Sequence, residues 1–150
     1  ANATFSMNTQ FVSLKNLEVL NKWVLTSSNK YLGIHNRSAW LSETGTGTPV
    51  NPTETDNINQ AAGFAYGWKK INALEGIEGI QWHNWYDNPA EAVLLGLRFQ
   101  EGTGKPEAGQ PKPVWYTYQK AGTAEEEEYF KQYLPIIGIS DWNILQPIND

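Results

Sequence analysis

The chain has 150 residues, 40% of them apolar and 18% charged, which is one domain's worth of sequence with enough apolar mass for a packed core. Its formal charge of -5, with the eleven Lys and Arg scattered, sets nucleic acid aside as a partner, because phosphate binding needs a clustered basic surface. No apolar run approaches the roughly 18 residues of a membrane span, so no membrane partner is expected, and Ala1 to Gln10 lack the basic and apolar regions of a signal peptide. The absence of cysteine excludes disulfides and thiolate metal sites without fixing a compartment.

Residues 1–12 read as irregular or short extended structure. Ser13 then stands as a helix N-cap, followed by Leu14, Leu17, Leu20 and Trp23 with Val24, the apolar stripe of a helix to about Ser27. Gly33 is the stop. Ser38 to Glu43 is a run of strand length that empties into the Gly/Thr/Pro loop Thr44–Pro49. Asp56 is the next N-cap candidate, and Ile58, Ala61, Ala62, Ala65, Trp68, Lys69 and Asn72 describe one helix face of mostly small residues suited to a sheet.

Ile77 to Tyr86 reads as a second strand, leading into the turn Asp87-Asn88-Pro89, and Leu94 to Leu97 as a further extended piece. Residues 100–113 are too rich in Gly and Pro to be anything but loop. A helix is predicted over Val114–Lys120. Thr123 to Glu126 fits a capping box, with Glu125 to Glu128 as helix-start charges rather than an acidic patch, and the tail packs through Ile136, Ile137, Ile139 and Trp142. The alternation of helix and strand is that of parallel α/β architecture.

Two places carry candidate chemistry. Glu43 ends the first strand before a glycine-rich loop, where a parallel α/β protein keeps its catalytic groups, and the competing account is a solvated loop glutamate. Trp82, His83, Asn84, Trp85 and Asp87 form a polar and aromatic cluster at the end of the second strand, costly to bury without partners and so expected to face a wet cleft. Core packing competes for one of the two tryptophans, and a backbone carbonyl for His83. Glu91 reaches the same cleft or is a surface glutamate at a helix start. His35 is the only other histidine, so no metal site is expected, and neither a P-loop nor a nucleophile elbow is present, so no cofactor is called for.

Ser13 to Leu20, Trp40 to Gly45, Asn59 to Tyr66, Trp82 to Asp87 and Leu95 to Arg98 together resemble, in order, the C-terminal half of an uncharacterised bacterial family of glycoside-hydrolase-like TIM-barrel proteins. The likeness covers most of residues 5–120. It implies the C-terminal portion of a (β/α)8 barrel, about two and a half βα units in a single domain over residues 1–150, since a closed barrel needs roughly 200 residues or more. It further implies Glu43 as the nucleophile of a retaining glycosidase, with Trp82, His83, Asn84, Trp85 and Asp87 shaping a sugar subsite, and a secreted or periplasmic location. The acid/base residue would lie in a preceding part of the barrel, which becomes the expected partner beside the carbohydrate substrate. A barrel that binds carbohydrate without cleaving it, and a structural α/β domain, are the alternatives.

Overall fold

Ser13 opens the helical part of the chain with a reciprocal capping box. Its hydroxyl accepts the Lys15 N–H at 3.2 Å, and the Asn16 side-chain oxygen accepts the Ser13 N–H at 2.9 Å. A 3-10 turn, Leu14–Asn16, leads into α1, Leu17–Leu25. The computed structural model describes residues 2–26, 29–35, 37 and 39–149, so Ser27 and Ser38, the expected end of this helix and start of the next strand, lie outside the described residues.

Strand β1 is Trp40–Thr44 and β2 is Gly79–Trp82; they pair in parallel, Glu78 N–H donating to Ala39 O and His83 N–H to Thr44 O. Between them runs α2, Glu54–Ala73. Its cap is Thr53, not Asp56. The Asp56 carboxylate accepts the N–H and hydroxyl of Thr53, at 2.8 and 2.7 Å, while Asp56 N–H returns to the Thr53 oxygen. Those bonds hold the Asp56 carboxyl below its ordinary range. The later helices are α3, Pro113–Lys120, α4, Glu126–Phe130, and α5, Leu134–Ile137.

The chain divides into two compact units. The first comprises Ala1–Ser42, Gly67–Gln81 and Asp141–Asp150. Its core is Leu17, Ile71, Leu74 and Ile77, with Leu14, Leu20, Leu41 and Ile80 around it. Each such side chain contributes about 1.5–3 kcal/mol when fully withdrawn from water. Beside that core Lys70 is buried against Glu18 at 2.7 Å, and Glu18 also accepts the Gln146 N–H. Trp40 lies directly on Gly79, where a Cβ would meet the indole at 2.5 Å and displace it.

The second unit comprises Glu43–Tyr66 and Trp82–Ser140. The small residues Ala61, Ala62 and Ala65 are buried as their spacing predicted, together with Phe64, Leu94, Leu97, Val114, Phe130 and Tyr133. Phe64 meets Trp82 edge-on at 5.3 Å.

The expected barrel portion is not what forms. Among the described residues the sheet has two strands, and the chain is a small α/β arrangement rather than two and a half barrel units. The reason lies in where the backbone bonds of residues 94–98 go. Leu94 exchanges bonds with Thr48, Leu95 O accepts from Asn84 N–H and the Trp82 indole, and Leu97 O accepts from Lys112 N–H. The segment is spent on loops and adds only isolated bridges, at Leu94 and Arg98. The second strand likewise stops at Trp82 instead of Tyr86.

Candidate functional site

Beyond β2 the His83–Asn84 peptide is cis and the chain enters a segment held from one side by residues 95–98. Asn84 N–H donates to Leu95 O, Leu97 N–H to Asn84 O, Arg98 N–H to Trp85 O and Asp87 N–H to Arg98 O. Gly96 sits so close that a Cβ there would fall 2.2 Å from the Asp87 nitrogen; this approach admits no side chain. These bonds hold residues 84–87 against the 95–98 segment, and residues 83–91 form a rim in the second unit.

The rim borders an open cleft lined by His83, Asn84, Trp85, Asn88, Pro89 and Glu91 among others. Glu91 is the polar hub: its Oε1 accepts Asn84 Nδ2 at 2.9 Å and Asn88 Nδ2 at 3.1 Å, and His83 Nε2 lies 3.4 Å away. Partial desolvation works to raise the Glu91 carboxyl, but the bonds from Asn84, Asn88 and His83 together outweigh it and leave it below the ordinary carboxylate range. Trp85 is 55% exposed, and its ring is braced edge-on by Trp115 at 4.9 Å, with the Arg98 guanidinium 5.1 Å from the Trp115 ring.

Asp87 faces inward. It is 5% exposed, its Oδ1 accepting the fully buried Lys112 ammonium at 3.0 Å and the Gly96 N–H at 2.9 Å. Burial pushes the Asp87 carboxyl up, an effect only partly offset by Lys112 and the Gly96 N–H, and the same loss of solvent pulls the Lys112 ammonium down. The pair ties three segments together, around residues 87, 96 and 112.

The glycine- and proline-rich stretch after Phe99 is folded. Phe99 N–H donates to Gln110 O and Gly109 N–H to Gln100 O, and turns close through Ala108 N–H to Lys105 O and Gln110 N–H to Glu107 O. Arg98 Nε donates to Gly109 O at 2.8 Å. This loop walls a hollow of about 350 Å³ whose apolar lining residues are Val50, Pro52, Pro89, Leu94 and Phe99. Asn51, Gln100, Thr103, Lys105 and Glu107 line it as well, and Asp87, Pro89 and Gln100 line the hollow and the cleft alike.

Of the residues singled out in the sequence, His83, Asn84, Trp85 and Asp87 line one cleft. Trp82 instead packs on Phe64 and donates its indole N–H to Leu95 O. Glu43 is exposed at the carboxyl end of β1 and lines neither the cleft nor the hollow. Its neighbour Thr44 accepts the His83 N–H, so Glu43 and the rim both stand at the carboxyl end of the strand pair. Sequence reasoning missed Lys112 and the residues of the 99–112 loop. No local signal marks Lys112 as buried; the nearest hint is its position between Pro111 and Pro113 at a helix start.

Among the described residues no three His, Asp or Glu side chains are grouped to hold a metal ion, and no helix is long and apolar enough to cross a membrane. The chain belongs to a family of unknown function (DUF5722), whose pattern it matches over residues 1–145. No curated protein and no solved structure matches it significantly.

Proposed function

We propose that the protein recognises carbohydrate through the cleft bordered by residues 83–91. The observation that carries this reading is Trp85, a largely exposed indole held in place by Trp115 beside the His83, Asn84, Asn88 and Glu91 side chains. A pyranose presents an apolar C–H face and a rim of hydroxyls. An immobilised aromatic plate next to amide, imidazole and carboxylate groups matches both, and little side-chain entropy is lost because Trp85 is already braced. Titrating the chain with a panel of oligosaccharides checks it: binding is expected, and Trp85→Ala weakens it at least tenfold. A panel that leaves the protein unaffected, or a Trp85→Ala variant that binds as well, ends the reading.

Hydrolysis is the second reading, favoured by Glu43 at the carboxyl end of a strand parallel to the one that feeds the cleft. A retaining glycosidase needs a carboxylate nucleophile and, about 5 Å away, a carboxylic acid that keeps its proton near neutral pH. Glu91 is unsuited to the acid's part, because its bonds favour the ionised form. Release of product from aryl glycosides, lost by orders of magnitude in Glu43→Gln, supports this reading; turnover unchanged in that variant removes Glu43 from it.

A further inference from the structure

We infer that the hollow beside the cleft is a second sugar subsite, so that the ligand is an uncharged oligosaccharide of at least two units, the outer one lying against the 99–112 loop. The inference rests on the carbohydrate reading above and deepens it. The hollow and the cleft share Asp87, Pro89 and Gln100, so the two adjoin, and an extended ligand seated in one lies next to the other.

The chemistry of the walls selects the class. Lys105 and Glu107 face the hollow from one hydrogen-bonded turn, and among the described residues neither side chain has a hydrogen bond or an ion pair. A free ammonium and a free carboxylate lining one hollow suit groups that both donate and accept, which is what hydroxyls do. Phe99 and the prolines offer the flat apolar surface that a sugar's C–H face requires. Charge argues the same way. Within the hollow Lys105 and Glu107 cancel, and the Asp87 carboxylate is already paired with Lys112, so a ligand charge of either sign gains no net attraction there. At about 350 Å³ the hollow is at the lower end of ligand-site volumes, the size of one ring rather than a chain.

The test uses the whole chain and β-1,4-linked glucose, xylose and mannose oligomers of one, two and four units, with a galacturonate dimer as the charged control. Ligand-observed NMR reads the weak single-unit binding, and calorimetry the longer oligomers. In the series that binds, the dimer is expected to bind at least tenfold tighter than the single unit, with an affinity nearly independent of salt. The double variant K105A/E107Q removes that gain and leaves single-unit binding unchanged; both side chains stand at the surface of a loop, and far-UV circular dichroism confirms that the fold is kept. A dimer no tighter than the single unit, a gain that survives the double variant, or preferred binding of the galacturonate dimer overturns the second subsite. Loss of all binding at every length overturns the carbohydrate reading itself, so the two failures are distinguishable.

Discussion

Lys112 shows how far one buried charge shapes this unit. With both its charge and that of Asp87 withdrawn from water, neither is comfortable without the other. Lys112→Met leaves the Asp87 carboxylate unpaired and is expected to destabilise the fold by about 3–5 kcal/mol in urea unfolding. Adding Asp87→Asn restores most of that loss, because an amide oxygen still accepts the Gly96 N–H and no charge remains. Equal losses in the single and double variants would mean that shape rather than charge sets the penalty. The sequence marked Asp87 as a polar group at a strand end and pointed it at a ligand. Its true partner stands 25 positions away, beyond the reach of any local pattern. Glu91 had two readings, and the bonds from Asn84 and Asn88 decide for the cleft.

At the level of elements most of the helices and strands were legible. Ser13 caps where it was expected, α2 buries its small residues, and the helix at Val114–Lys120 is α3, beginning one residue earlier. Boundaries moved where a cap reaches back: Thr53 outcompetes Asp56 because Asp56 serves better as the returning acceptor three residues on. Thr53→Ala therefore removes the cap of a long helix and is expected to cost about 1 kcal/mol, whereas Asp56→Asn, which keeps an acceptor, costs less; thermal melts compare the two. A Thr53→Ala melt identical to the parent's would return the cap to another residue. Glu126, Glu127 and Glu128 stand in the first turn of α4 as read, but the expected capping box at Thr123 does not form: Glu125 takes the N-cap position without a side-chain cap bond, and the Glu126 carboxylate accepts the Gly122 N–H instead.

The whole molecule departs furthest from expectation. Strand-end motifs in barrel order led to a barrel portion, and the structure is a small α/β arrangement with two paired strands among the described residues. Its two units are interleaved along the chain: α2, β1 and β2 each begin in one and end in the other. Neither unit can lose its structure without fraying three shared elements, so a single cooperative transition is expected, with far-UV dichroism and tryptophan fluorescence coincident in urea. Two separated transitions would show that the units unfold independently. Helix and strand placement, and the presence of a carboxylate and an aromatic cluster at two strand ends, were legible in the residues alone, because apolar spacing, caps and turn residues act over a few positions. The number of strands that join, the burial of Asp87 on Lys112, and the hollow walled by Thr103, Lys105 and Glu107 were settled only in three dimensions. Each depends on which groups distant in sequence pair with one another, and that competition leaves no periodic trace along the chain.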